Sequence, residues 1–350
     1  MKIKAFFRIF MIAACLWASR AAANEHDLYV YVWAEYIPEA VFSRFTQETG
    51  INIHASTFDN LDDMYAKIKI TSGTGYDIVM ASTEYIALMK RQNLLHKLNK
   101  AMLPNLKNID SMFLDMSFDP QNDYTVPFTV GTSTFAVATD RVDAAKLKKL
   151  ADLGRPELKG RLILLNDVRA VFGIGLLMNG YTVNETDETR LEQAYKSLHD
   201  IVLPNVKAYD TEATIQALIN GEADVVMTWN GLLYSAMKEH PTIKEVRFKE
   251  GANYWMDNFA VLERSQNVDG AHQFLNFIMR PDIVAEISRE YAYTSPNMAA
   301  KALLPEDIVK NPVLYPPAKT YKPSLFENDL GDALGVYEKY WLRLKASHYE

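Results

Sequence analysis

Between Leu28 and Ala81 the chain runs strand, helix, strand, helix, strand, and that order leaves few folds open. Residues 28–33 alternate Tyr29, Tyr31 and Trp33 on one side with Leu28, Val30 and Val32 on the other. Both sides are apolar, which predicts a strand buried on both faces. Pro38 suits the first turn of a helix whose apolar face is Val41, Phe42 and Phe45, and Gly50 supplies its stop. Ile51 and Ile53 resume a strand. Residues 59–69 read as a helix with Leu61, Met64 and Ile68 on one face, and residues 76–81 as the next strand. Ser82 or Thr83 stands where a helix cap is needed. Strands alternating with helices in this way predict a parallel sheet with right-handed crossovers.

The pattern then changes and restarts. Residues 113–122 are loop-like, with Asp119-Pro120 as a turn, and residues 124–138, rich in Thr, Val and Phe, read as an extended segment crossing between two lobes. A second α/β set follows: a strand at 162–165, a helix capped by Asp167 and running to about Met178, a helix at 191–203, and a strand at 223–229. Residues 271–279 read as a helix stopped by Pro281, and the Pro-rich stretch 312–317 as a surface connection. At 350 residues the chain exceeds what one hydrophobic core usually holds. The expected class is therefore α/β with two lobes, each a mostly parallel sheet flanked by helices, joined through crossing segments at a hinge.

The first residues have a different character. Lys2, Lys4 and Arg8 precede an apolar stretch at 9–18 and the small residues Ala21, Ala22 and Ala23, the layout of a secretory signal peptide over residues 1–23. Ile12-Ala13-Ala14-Cys15 offers a competing reading as a lipobox, with Cys15 as the acylated N-terminus. Loss of residues 1–23 removes four basic residues (Lys2, Lys4, Arg8, Arg20) and no acidic one, so the formal charge of −7 becomes −11. A mature chain that acidic argues against nucleic acid and suits small cations, although solubility alone also explains it. Cys15 is the only cysteine, so a chain cleaved after Ala23 has no disulfide, thiolate metal site or cysteine nucleophile. No Gly-x-Ser-x-Gly elbow, phosphate loop or helical His pair is present, which speaks against an exported hydrolase. The 19 Tyr permit a ferric site, but no local pattern selects one. No cofactor and no metal are expected.

Ligands of open parallel sheets bind beyond the carboxyl ends of the strands. Trp33-Ala34-Glu35-Tyr36, Ser82-Thr83-Glu84-Tyr85, Asn166-Asp167 and Thr228-Trp229-Asn230 all fall at such ends. Trp255-Met256-Asp257 puts an indole and a carboxylate two residues apart, on one side of an extended segment. Buried ammonium groups need carboxylates, and the methylenes between them need an apolar wall, which aromatic faces supply along with cation–π attraction. Trp and Tyr mixed with Asp and Glu therefore suit an alkyl polycation. Each residue also has a structural reading. A Trp at a strand end can be core, Asp167 can be an N-cap alone, Glu35 and Glu84 can be solvated first-turn charges, and Tyr293 can simply pack.

The chain resembles the periplasmic spermidine/putrescine-binding proteins of ABC uptake systems, from Leu28 to about Leu344. The resemblance rests on Tyr31-Val32-Trp33-Ala34-Glu35-Tyr36, Phe45-Thr46-Gln47-Glu48-Thr49-Gly50-Ile51, Met64-Tyr65-Ala66-Lys67, Tyr76-Asp77-Ile78-Val79, Trp229-Asn230-Gly231, Trp255-Met256-Asp257 and Pro296-Asn297-Met298-Ala299-Ala300. It implies a hinged trap, with lobe 1 formed by 24–131 plus 256–300 and lobe 2 by 132–255 plus 301–350. By motif it implies a site bordered by Trp33, Glu35 and Tyr36, then Ser82 and Thr83, an amine-holding Asp167, a small hydroxyl residue at Thr211, an aromatic box of Trp229, Trp255 and Tyr293, and Asp257 as the main amine-binding carboxylate. Three positions depart from the spermidine-binding pattern: Ala170 replaces a Glu, Glu84 replaces a Tyr, and Glu327 replaces a Gln. If all three line the cleft, negative charge is moved and not removed, and Glu84 or Glu327 holds one terminal ammonium. The function implied is a monomeric, non-enzymatic periplasmic receptor that delivers polyamine to a membrane ABC permease. The alternative is a polyamine sensor, for norspermidine or spermidine, that signals to a membrane enzyme.

Overall fold

The computed structural model describes residues 26–317, 320, 322 and 325–348. The expected signal peptide at 1–23 and Cys15 lie outside the described residues. In chain order the main elements are β1 (Asp27–Trp33), α1 (Glu39–Thr49), β2 (Asn52–Phe58), α2 (Leu61–Thr71), β3 (Ile78–Ser82), α3 (Thr83–Arg91) and the long strand β4 (Thr125–Ala138). Next come β5 (Leu162–Leu164), α4 (Val168–Met178), α5 (Glu188–Ser197), β6 (Val206–Tyr209), α6 (Thr214–Ile219), β7 (Val225–Trp229), α7 (Asn230–Glu239) and β8 (Ile243–Val246). The chain ends with β9 (Asn253–Val261), α8 (Val268–Ile278), α9 (Pro281–Tyr291), α10 (Met298–Lys301), α11 (Glu306–Val309) and α12 (Leu334–His348). No described helix is long and apolar enough to cross a membrane.

Two compact units result. The first comprises the chain up to Phe128, Asp257–Glu290 and Asn297–Leu303; the second comprises Thr129–Met256, Tyr291–Pro296 and the chain from Leu304. Strands β4 and β9 each pass from one unit into the other.

In the first unit β1 pairs in parallel with β2 and β3, as the β-α-β-α-β order requires, and β9 adds to β3 in the antiparallel sense, with Ser82 opposite Asp257. Helix α1 buries Val41, Phe42 and Phe45 and stops at Gly50, whose left-handed φ of 76° lets its N–H reach the Thr46 carbonyl. Phe45 meets Phe274 and Phe277 of α8 edge-on, both at 5.3 Å between ring centres. The face of β1 that carries Tyr29 departs from the expectation of full burial: Tyr29 is 43% exposed and stacks on His54 of β2 at 4.8 Å. Asp77 explains a motif seen in the sequence. Its buried carboxylate accepts from the Tyr29 N–H, the Ser265 hydroxyl and the N–H groups of Gln266 and Asn267, and so ties the start of β3 to the turn before α8.

In the second unit β5 pairs in parallel with β6 and β7, and β4 runs antiparallel to β7 and β8. Ala136, Val226, Leu218, Leu233 and Tyr234 form a core into which Val313 and Leu314 also pack. The 312–317 stretch is thus a buried strap at Val313 and Leu314, not a surface connection. Pro281 follows the end of α8, as expected, and has a second role. It opens α9, where its missing N–H costs nothing, so it marks the junction of two helices as well as the end of one.

Candidate functional site

In the first unit the carboxyl ends of β1 and β3 bring seven predicted residues into two neighbouring loops and the facing strand. Trp33 is the last residue of β1, and its ring lies 4.6 Å from Phe58 and 6.2 Å from Tyr36. Glu35 takes a left-handed φ of 54°, which turns the chain sharply between Trp33 and Tyr36; its own side chain is exposed. The turn lets the Tyr36 hydroxyl donate to Asp257 Oδ2 at 2.8 Å. Asp257 is 3% exposed and sits opposite Ser82 in the β3–β9 ladder.

Ser82 precedes α3 but caps nothing through its side chain. Its hydroxyl donates instead to Glu84 Oε1 at 2.7 Å. Thr83, the first residue of α3, is buried beside it. Glu84 is 6% exposed, in the first turn of α3, and its Oε2 is buried with no hydrogen-bond partner in the protein. The indole Nε1 of Trp33 is likewise buried and unpaired. A buried polar atom left without a partner costs about 1–3 kcal/mol, and more when charged. The open Glu84 oxygen calls for a donor or cation, and the Trp33 N–H calls for an acceptor.

The remaining predicted residues belong to the second unit. Trp229 ends β7, and Trp255 lies near the start of β9; their rings meet edge-to-face, 5.7 Å apart at 82°. Trp255 depends on Gly131 of β4, because a Cβ built there would fall 2.0 Å from the indole Cζ2. Sequence reasoning missed Gly131, although a lone glycine in a Thr- and Phe-rich strand is the ordinary sign of a close approach. The Trp255 Nε1 is buried and unpaired. Asn230, next to Trp229, accepts from the Thr132 N–H and donates to the Val313 carbonyl, which fixes the start of α7. Tyr293 is half-buried, with its ring 5.9 Å from that of Tyr291.

Asp167 caps α4, its Oδ1 accepting from the Ala170 N–H at 2.8 Å. The structural reading of this residue therefore holds, and the side chain is half-buried. Thr211 lies in the turn after β6, where Asp210 accepts from the N–H groups of Glu212 and Ala213. Glu327 belongs to a buried polar knot. Asn253 Nδ2 donates both to Glu327 Oε1 at 3.1 Å and to the Arg169 carbonyl at 2.9 Å. Gly173 of α4 makes room for the Asn253 side chain, since a Cβ there would stand 2.1 Å from its Oδ1. Arg169, 4% exposed, donates to the carbonyls of Asn328 and Val183 and to Asn184 Oδ1. Its guanidinium lies over the Tyr337 ring, and burial drives the Tyr337 hydroxyl well above its ordinary pKa, with Arg169 pulling it down and Glu185 and Glu327 pushing it up. No sequence signal marked Asn253 or Arg169. Ala170 is fully buried.

A cavity of about 140 Å³ opens elsewhere in the second unit, between Phe135, Leu150, Ile174, Met227 and Phe248, and none of the predicted site residues lines it. It is mostly apolar and is not the candidate site. Among the described residues no cluster of His, Cys, Asp and Glu could hold a metal ion.

The family model described as bacterial extracellular solute-binding protein matches residues 40–316. The spermidine/putrescine-binding periplasmic protein of Salmonella typhimurium is 37% identical over 335 residues, covering 95% of this chain and 96% of that protein. The Escherichia coli protein of the same description is also 37% identical, over 347 residues, covering 98% of this chain and 99% of its own length. Among solved structures, the spermidine/putrescine ABC transporter substrate-binding protein PotD from Streptococcus pneumoniae superposes with a TM-score of 0.80 at 31% identity, covering 92% of this chain and 99% of that one.

Proposed function

The chain belongs to the bacterial extracellular solute-binding proteins, and we propose that it captures a polyamine cation, spermidine, putrescine or a close analogue, and delivers it to a membrane ABC permease. The two compact units act as the lobes of the trap, and the described chain works in the periplasm after loss of residues 1–23. Binding is the whole of its task; no bond in the ligand is made or broken.

One observation carries this reading: the first unit holds two buried carboxylates, Asp257 and Glu84, together with the rings of Trp33 and Tyr36. Acids in that setting ask for cations, and rings ask for the methylenes between them. The relatives' names supply the ligand class that has both. Within the proposal Asp257 holds one ammonium, Asp167 another, and Trp229, Trp255 and Tyr293 wall the alkyl chain, while Trp33, Glu35, Tyr36, Ser82, Thr83, Thr211 and Glu84 complete the border.

Calorimetric titration of the purified protein with putrescine, spermidine, norspermidine and spermine, with an amino acid as control, tests it. Saturable binding of at least one polyamine and none of the amino acid is expected. No heat from any polyamine, or equal binding of the control, would reject the reading.

A further inference from the structure

Two of the acids singled out in the sequence, Glu84 and Glu327, are both buried, and their surroundings differ. Glu327 has a donor and lies near a cation of its own unit: Asn253 bonds its Oε1, and Arg169, a buried guanidinium, bonds the carbonyl of the adjacent Asn328. The opposing pulls of Arg169 and Glu327 on the Tyr337 hydroxyl place both charges in one neighbourhood. Glu327 thus has a protein donor on its Oε1 and a buried cation of its own unit nearby. Glu84 differs. One oxygen accepts the Ser82 hydroxyl, the residue is 6% exposed, and among the described residues the other oxygen has no partner and no Lys, Arg or His pairs with it. The α3 N-terminus and one hydroxyl soften the burial of this charge without neutralising it.

We propose that Glu84, and not Glu327, is the further carboxylate that takes an ammonium of the ligand, so that this protein selects polyamines by a charged nitrogen set against α3, close to the one held by Asp257. The proposal rests on the polyamine reading and deepens it. Ser82 links the two acids: it stands opposite Asp257 in the ladder and bonds Glu84, so both carboxylates belong to one wall of the first unit. A phenol at this position would offer one neutral oxygen. A carboxylate offers a full counter-charge, and truncation of a buried pair of this kind is felt strongly.

The test compares wild type, E84Q, E84Y and E327Q, each as the full mature chain, by calorimetric titration with spermidine and with 1,8-diaminooctane, which has a methylene in place of the secondary nitrogen. Thermal melts verify that each variant folds. Loss of spermidine affinity by tenfold or more in E84Q is expected, with E327Q within about threefold of wild type and lower in melting temperature. E84Y gives the same answer if E84Q fails to fold, since it too removes the charge. If Glu84 faces the secondary nitrogen, the E84Q loss disappears with 1,8-diaminooctane; if it faces a terminal nitrogen, the loss persists, and either pattern supports the pairing. A loss below tenfold in the folded Glu84 variants, or a tenfold loss confined to E327Q, overturns it. Absence of polyamine binding by wild type is a different result: it removes the underlying reading and the inference together.

Discussion

The Tyr36 hydroxyl, 2.8 Å from Asp257 Oδ2, joins two residues 221 positions apart in the chain and holds a buried carboxylate in a fixed direction. A hydrogen bond to a charged group contributes about 1.5–3 kcal/mol, and truncating one partner of a buried charge pair costs about 2–5 kcal/mol. D257N is therefore expected to weaken polyamine binding by two orders of magnitude or more, and Y36F by roughly tenfold. The order of the two effects is the sharper expectation, because Tyr36 acts on the ligand only by orienting Asp257 and by its ring. Calorimetric titration of both variants checks it; a Y36F loss equal to that of D257N would show the phenol, not the carboxylate, to be the main ligand contact.

Gly131 and Trp255 make a second prediction that is independent of which polyamine binds. A methyl group at 131 would overlap the indole, so G131A must tilt Trp255 away from the β4 backbone. Overpacking of this sort costs about 1–3 kcal/mol. The tryptophan emission spectrum of the ligand-free protein is expected to shift, because Trp255 also packs edge-on against Trp229. Ligand affinity is expected to fall with it. Unchanged emission and affinity in G131A would mean that the strand yields instead of the ring.

How far the sequence disclosed these features depends on distance along the chain. Elements set by neighbours three or four residues away were legible: the apolar face of α1 with its Gly50 stop, the parallel order of β1, β2 and β3, and the Asp167 cap on α4. Pro281 was ambiguous because proline can follow one helix or open another, and here it opens α9. The burial of Val313 and Leu314 was hidden by the prolines around them. Strand β9 was only half visible, since Asn253, Asp257 and Asn258 interrupt its apolar pattern while all three are buried in the fold. The polar partners that hold them, among them Tyr36, Arg169 and Glu327, come from remote segments. The residue types of the site could thus be named in advance, but which protein groups each acid meets in the fold could not.

Asp77 gives a stability prediction for the first unit. Its buried carboxylate accepts four hydrogen bonds, three of them from backbone N–H groups. D77A strips those donors of their acceptor and is expected to cost about 3 kcal/mol, as for other broken buried networks. The midpoint of denaturant unfolding measures this. D77N, which keeps one carbonyl oxygen, should fall between D77A and wild type; a D77A midpoint equal to wild type would mean that the turn before α8 finds other partners.

Asp224 ties three strands of the second unit together and makes its stability depend on pH. It accepts from Arg141 Nε at 2.6 Å and from Arg161 Nη2 and Nε at 2.7 and 2.9 Å. The Arg161 hydrogen bonds hold its carboxyl below the ordinary carboxylate value, against the upward push of burial, with Arg141 adding to the fall. A carboxylate whose folded-state pKa is depressed contributes stability above its unfolded pKa of about 3.9 and loses it as the pH falls through the lower folded value. Comparing wild type with D224N isolates this group, because asparagine does not titrate. At pH 7 the variant is expected to be less stable by about 2 kcal/mol. That is less than the 3–5 kcal/mol of a fully buried pair, since the side chains of Arg141 and Arg161 are 28% and 34% exposed. The gap should hold down to about pH 4 and close below it. Denaturant midpoints of both proteins between pH 7 and pH 3 give the comparison; a gap that stays constant over the whole range would show that the arginines bind the neutral side chain as well as the charged one.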